Sequence, residues 1–321
     1  MKISGQLARE YATRFPSAQT RTIARMLMRD APEVYTSYEH ARSMVRTHRG
    51  EAGKSSRKSI KPVPTTKMLF TMPASDAKPV EPMRLKVAGK GAVISDLHIP
   101  YHDQAACEVA VNNAINKGHT DWLIINGDFL DCYQLSRWEK DPRKRRFADE
   151  LDTAREVLGA LRAVFKTIVC KFGNHEVRYE SYLRTKAPEL IGVPEFELAA
   201  LLKLEASGIT AVKANQVMHI AGLSVVHGHE MPHGIAAPVN PARGLFLRAK
   251  ASAICGHHHQ TSQHSEADIR RKPTSCWSLG CLCELSPEYA PVNKWNHGFA
   301  LVDVSTEFHV ENLRIINGRA M

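Results

Sequence analysis

Acidic, imidazole and amide side chains recur along the chain in short clusters, each directly behind an apolar run. Val93-Ile94-Ser95 leads into Asp96-Leu97-His98, and Leu123-Ile124-Ile125-Asn126 leads into Gly127-Asp128-Phe129-Leu130-Asp131. Ile168 to Phe172 precedes Gly173-Asn174-His175-Glu176, Leu223 to Val226 precedes His227-Gly228, and Ala253-Ile254-Cys255 precedes Gly256-His257-His258-His259. Carboxylate, imidazole and amide carbonyl together form a donor set for borderline or hard divalent ions, unlike a thiolate-rich structural zinc site. A lone Asp-x-His arises often by chance, and a single buried histidine is usually a hydrogen-bonded core residue. Five such clusters in order, all behind strand-like runs, point to one metal centre.

The elements that must present these clusters are short strands alternating with helices. Strands are expected over 91–95, 122–126 and 168–172, with helices over 104–116 and 147–165 between them. Later strands are expected over 218–220 and 223–226, joined as a hairpin by Ala221-Gly222, and then over 253–255, 275–279 and 299–304. The first half reads β-α-β-α-β and the second mostly β, which implies an α/β domain of two packed sheets with helices outside. Ligands at the C-terminal ends of strands are what the binding edge of an open α/β sheet offers. Glycine beside the ligand in four of the five clusters allows tight turns and close backbone approach.

Upstream of this domain the character changes. Residues 1–90 hold 18 Lys/Arg against 7 Asp/Glu, whereas 91–321 hold 25 against 26, so the net charge of +10 belongs to the N-terminal third. Residues 1–50 read as a basic three-helix, helix-turn-helix-like module. Gln6 to Arg14 forms the first helix, Ser17 caps a second with Ile23, Met26 and Leu27 on one face, and Thr36 with Glu39 makes a capping box for the third. On that last helix Tyr38, Ala41 and Val45 share one face, and Arg42, Arg46 and Arg49 another. A small bundle with a solvated charged face would show the same pattern. Residues 51–84, rich in Lys, Ser, Pro and Thr, read as a flexible linker, and 85–321 as the metal-binding domain.

The order Asp-x-His, Gly-Asp-x-x-Asp, Gly-Asn-His-Glu, His, Gly-His-x-His resembles the calcineurin-like metallophosphoesterase superfamily over about residues 88–315. The resemblance implies a four-layer α-β-β-α sandwich with two divalent metal ions at one edge, Mn²⁺ first and Fe²⁺, Zn²⁺ or Ni²⁺ as alternatives. One ion would take Asp96, His98 and His259, the other Asn174, His227 and His257, with Asp128 bridging. A hydroxide activated by both ions would attack phosphorus in line. His175 would protonate the leaving oxygen and Asp131 would orient it. His229, two residues after His227, is the alternative ligand at that cluster. The whole chain is also similar, more loosely, to bacteriophage and prophage metallophosphoesterases, some of which carry a small N-terminal helical module.

Cys132 stands where the protein Ser/Thr phosphatases of the superfamily carry arginine, which argues against that branch. The basic run Arg137, Lys140, Arg143, Lys144, Arg145 and Arg146 and the basic module both fit a nucleic-acid backbone. The expected activity is a phosphodiesterase or nuclease acting on nucleic acid, with Arg178, Arg42 and Arg46 as candidate substrate contacts. A phosphomonoesterase or nucleotide phosphatase whose module binds a protein partner, and a non-catalytic DNA-binding protein, are the alternatives. Cys276, Cys281 and Cys283 lack the spacing of a second metal site, His102, His233 and His258 read as loop or surface residues, and Trp277 and Trp295 as core. Seven cysteines without a paired pattern, no apolar run of membrane-spanning length and no secretory leader point to the cytoplasm.

Overall fold

A computed structural model describes residues 3–58, 72–141, 146–231, 239–269 and 271–321. It divides into two units, Met1–Ala77 and Lys78–Met321. Arg143, Lys144 and Arg145 of the basic run, His233, and residues 59–71 of the expected linker lie outside the described residues. No described helix is long and apolar enough to cross a membrane.

The N-terminal unit packs α1 (Ile3–Arg14), α2 (Thr20–Asp30) and α3 (Tyr38–His48) around Ala8, Ile23, Ala24, Leu27, Tyr35, Ala41 and Val45. These apolar residues recur at helical spacing, which is why the three helices form and why they pack on those faces. The caps differ from expectation. Gln19 rather than Ser17 precedes α2, without a side-chain cap bond. Ser37, in extended backbone, caps α3 by accepting from His40 N at 3.2 Å, while the Thr36 hydroxyl meets the His40 ring at 3.3 Å. Only Ser37 stands one residue before the first helical φ/ψ, where a short hydroxyl reaches the orphan N–H groups. Arg49 spends its guanidinium on the α1–α2 turn, donating to Ala18 O at 2.6 Å, Phe15 O at 2.9 Å and Pro16 O at 3.2 Å. The expected linker is not featureless: α4 (Lys54–Lys58) opens it, and β1 (Met83–Arg84) pairs with Met218–His219 before the expected domain start.

The second unit holds two sheets. One carries β2 (Gly89–Ile94), β3 (Trp122–Asn126), β4 (Thr167–Lys171), β5 (Ile209–Val212), β11 (Gly298–Val304), β12 (Phe308–Ile316) and β13 (Arg319–Ala320), in the order β13-β12-β11-β2-β3-β4-β5. The other carries β1, β6 (Met218–Ile220), β7 (Leu223–Val225), β8 (Ala253–Cys255), β9 (Ser262–Ala267) and β10 (Pro273–Ser278), in the order β1-β6-β7-β8-β10-β9. The hairpin at Ala221-Gly222 joins β6 to β7 antiparallel, with φ of 46° and 88° at the two turn residues. Strands β2 through β5 run parallel, as do β7, β8 and β10.

Strand periodicity sorts the side chains into layers. On β2 and β3, Ala92, Ile94, Leu123 and Ile125 face a core shared with helices α5 (Gln104–Asn116), α6 (Phe147–Val164) and α7 (Glu176–Lys186) and the short α8 (Leu198–Leu201). Their alternates Val93, Trp122 and Ile124 pack against Ile220, Val225, Ile254 and Trp277 of the other sheet. Beyond that sheet, Ala253, Cys255 and Cys276 meet α9 (Pro241–Ala249) through Ala242 and Leu245. The result is the four-layer α-β-β-α sandwich. Ser37→Ala should destabilise the N-terminal unit by about 1 kcal/mol and speed amide exchange in the first turn of α3, while Thr36→Ala leaves both nearly unchanged. The reverse pattern by hydrogen exchange would restore Thr36 as the cap.

Candidate metal centre

Loops after β2, β3, β4, β7 and β8 bring six of the seven expected ligands together, and Asn174 directly precedes His175, whose N–H bonds Asp128 Oδ1. Each carboxylate is divided between support and presentation. Asp96 Oδ2 accepts from Ser95 Oγ at 2.5 Å and His257 N at 2.9 Å, while Oδ1 stands 3.2 Å from His259 Nε2. Asp128 Oδ1 accepts from His175 N at 2.9 Å, while Oδ2 stands 3.1 Å from His227 Nε2 and 3.9 Å from His98 Nε2. His98 Nε2 lies 3.3 Å from His259 Nε2. Ligand atoms of Asp128, His227 and His257 form a second group within 4.8 Å of one another. Asn174 Oδ1 is buried with no hydrogen-bond partner among the described residues. A buried amide oxygen without a partner is costly unless a cation takes its lone pair. Nitrogen and oxygen ligands about 2.1 Å from a shared ion sit about 3.0–3.4 Å apart at octahedral or tetrahedral angles, close to the spacings found. The residues therefore fit a binuclear divalent centre. His227, not His229, faces Asp128, because its Nδ1 is tied to Asn126 O at 2.8 Å and its Nε2 is turned inward.

The backbone bends sharply to make this cage. Asp96, His98, Asp128, His257 and His259 all have φ between 49° and 65°, a region that non-glycine residues rarely occupy. Glycine beside them is a matter of space. A Cβ on Gly173 would run into the Asp128 carboxylate, and one on Gly256 into Ser95 Oγ and the Asp96 carboxylate.

Outside the cage, His175 Nδ1 lies 2.9 Å from Asp131 O and 3.2 Å from Asp131 Oδ1. The same carboxylate oxygen holds His98 Nδ1 at 3.1 Å, so Asp131 orients two imidazoles rather than one. Arg178 donates to Asp131 O at 2.8 Å and to His175 Nε2 at 2.9 Å, which assigns the proton of neutral His175 to Nδ1. A cavity of about 520 Å³ opens beside these groups, lined in part by Asp131, His175 and Arg178.

Burial and charge oppose each other throughout. Burial alone would lift the carboxyls of Asp96, Asp128 and Asp131, but the surrounding histidines hold all three below the usual range. Burial would likewise depress His227 and His259, yet Asp128 and Asp96 push both up to about 10. His257, less favourably placed, is pushed down to about 4 by burial and by His227. The site is thus a concentration of negative charge that protons or cations must balance.

Several supporting residues were not singled out by the sequence reading. Glu176 accepts from Gly173 N at 2.6 Å, Leu130 N at 2.8 Å and Asp128 N at 3.2 Å, buckling the Asp128 loop to the Asn174 loop. Burial and Asp128 push its carboxyl up to about 7. Glu230 accepts from His227 N at 2.8 Å and Gly228 N at 2.6 Å, and pairs with Lys171 Nζ at 3.0 Å. Lys171 is itself fully buried and also donates to the carbonyls of Lys213, Ala214 and Gln216. A lysine inside an otherwise apolar strand was the available signal, since unpaired lysines are almost never fully buried. Trp295, expected in the core, instead packs its ring 4.2 Å from His259, and Cys283 Sγ sits 3.9 Å from His259 Nδ1. His258 is half-buried against His257, with ring centroids 5.2 Å apart. Arg42 pairs with Glu39 at 3.2 Å and Arg46 donates to Glu51 O at 3.1 Å, both in the N-terminal unit. Removing one partner of a buried ion pair strands the other, so Glu230→Ala should cost about 3 kcal/mol in urea denaturation of the intact chain. A loss below about 1 kcal/mol would mean that Lys171 is satisfied by the carbonyls alone.

No curated protein sequence matches the chain. Among solved structures, it is similar to Vps29 of Entamoeba histolytica as a single mutant, at 13% identity and TM-score 0.38, covering 72% of this chain and 96% of that one. It is similar to the wild-type protein of that organism complexed with zinc at 13% and 0.40, with the same coverage. Vps29 of Chaetomium thermophilum gives 11% and 0.38, covering 72% and 93%. The sequence profile of the calcineurin-like phosphoesterases matches residues 90–269, more than half of the chain and the span that contains every cage residue. The chain belongs to the calcineurin-like phosphoesterase family, and is a metal-dependent phosphoester hydrolase.

Proposed function

We propose that the protein is a phosphodiesterase acting on nucleic acid, with Asp96, His98 and His259 holding one divalent ion, Asn174, His227 and His257 the other, and Asp128 both. Mn²⁺ is the proposed native metal. The observation that carries the hydrolytic half is the placement of His175 Nε2, 3.9 Å from Asp128 Oδ2 and directly beside the cage. Divalent ions held by these residues would supply a nucleophilic water at neutral pH and neutralise charge on the phosphoryl oxygens. The chain's own residues do the rest. Arg178 exchanges its contact with His175 Nε2 for a phosphoryl oxygen, a bond that guanidinium geometry favours. Freed of Arg178, His175 Nε2 takes up a proton from solvent, Asp131 stabilises the resulting imidazolium through Nδ1, and Nε2 passes that proton to the leaving oxygen.

The nucleic-acid half rests on the concentration of positive charge in residues 1–90, 18 Lys/Arg against 7 Asp/Glu. Within the N-terminal unit the arginines of α3 are engaged in intramolecular bonds, whereas Arg21 and Arg25 stand exposed one helical turn apart on α2. We assign the phosphate-contacting face to α2 and not to Arg42 and Arg46. The engagement of those α3 arginines is what favours the second reading, a nucleotide phosphatase whose N-terminal unit binds protein.

Mn²⁺-loaded protein should hydrolyse bis(p-nitrophenyl) phosphate and labelled single- or double-stranded DNA; activity on p-nitrophenyl phosphate alone would establish the second reading instead. His175→Ala should retain bound metal while kcat falls by about 10²–10⁴, and parallel loss of metal would place His175 in the cage. Paired Arg21→Ala and Arg25→Ala substitutions should reduce the salt slope of DNA binding by about 2, and an unchanged slope would remove α2 from the contact.

A further inference from the structure

We propose that the cavity beside His175 is the subsite for the leaving group, and that the group it takes is a nucleoside whose base stacks on Trp138 and Tyr289. The proposal rests on the hydrolytic role given to His175 above and adds the chemistry of the departing group. None of the seven cage residues lines the cavity; its lining includes His175, Arg178 and Asp131 together with the aromatic Tyr133, Trp138 and Tyr289. A group lodged there lies on the protonating side of phosphorus, so it is the one whose oxygen departs. The volume of about 520 Å³ falls within the roughly 300–1,000 Å³ of small-molecule sites. It suits one nucleoside and not a duplex.

The walls are built for a flat aromatic ring. Trp138 is 66% exposed and Tyr289 73% exposed, large apolar surfaces left in solvent. Arg137 packs over the Trp138 ring, its guanidinium carbon 4.8 Å from the ring centre. Tyr289 contacts Trp295 with ring centroids 6.2 Å apart, and Trp295 contacts His259 at 4.2 Å, so a chain of rings links this wall to the cage. Aromatic faces take any base, because every base has a π-face. Glu139 lines the same space and supplies an acceptor for sugar hydroxyls or base amino groups, which separates a nucleoside from a bare aryl group. In the reaction, the water oxygen bonds to phosphorus and the bond from phosphorus to the nucleoside oxygen breaks with its electron pair on that oxygen. The oxygen takes the proton from His175 Nε2, leaving a nucleoside alcohol and a phosphate product, while the water's own proton passes to solvent.

The test titrates adenosine into the Mn²⁺-loaded full chain by calorimetry, and in parallel measures adenosine inhibition of bis(p-nitrophenyl) phosphate hydrolysis. Adenosine should bind and inhibit, and both Trp138→Ala and Tyr289→Ala should weaken its binding at least about tenfold. Tyr182→Ala, at an exposed tyrosine of α7 that does not line the cavity, should leave binding unchanged. Ribose alone should not bind. Absence of adenosine binding, or equal binding in all three variants, overturns the subsite. Failure to hydrolyse any diester overturns the phosphodiesterase reading, while the calorimetric comparison still decides the subsite by itself.

Discussion

Two carboxylates buried where charge is expensive set the terms for the rest of this structure. Asp96 is 0% exposed and Asp128 2%, and neither is offset by a lysine or arginine at contact distance among the described residues. Isolated carboxylates in such a place would neutralise by taking up protons. Here each has one oxygen satisfied by backbone or hydroxyl donors and the other turned toward imidazoles. What remains is a negative centre shaped for cations, and the histidine ring contacts around it are the consequence.

That demand explains the architecture as well as the site. Parallel strands deliver their C-terminal ends to one edge, and two stacked sheets deliver two such sets of ends to the same place. Left-handed backbone at five cage residues is tolerable only because the strands behind them are locked in a dense core on both faces. The loops themselves are tied from outside by buried acids. Glu176 stitches the Asp128 loop to the Asn174 loop, and Glu230 with Lys171 stitches the His227 loop to β4. Catalytic geometry at the front is therefore held by ionic and hydrogen-bonded groups behind it.

Much of this was legible in the sequence because its signals are local. The helix over 104–116 and the strand over 122–126 fall where apolar patterning put them, and the structure adds Asp103 as the N-cap, accepting from Ala106 N. The layered sheets follow from alternation, and the cage from ordered clusters behind strands. Pairing defeated sequence reasoning. Helix α7 starts inside the Gly-Asn-His-Glu cluster, whose chemistry masked it, and β9 and β12 alternate too weakly to stand out. The second use of Asp131, the engagement of Arg178 with His175, and the approach of Trp295 to His259 all join residues far apart in sequence or sit outside any motif. Helical spacing grouped Arg42, Arg46 and Arg49 on one face but could not show that Arg49, just past the end of α3, reaches back to close the α1–α2 turn.

Chemistry and substrate choice are thus separated in this chain. Family membership and the cage make the chain a metal-dependent phosphoester hydrolase, while in the proposed reading substrate choice falls to the aromatic cavity and the basic N-terminal unit. The central claim, two ions shared through Asp128, is tested most directly by anomalous diffraction from crystals of the Mn²⁺-loaded protein. Two anomalous peaks, one on each side of the Asp128 carboxylate, are the result this account predicts. A single peak, or metal bound at Cys283 and not at Asp128, would contradict it.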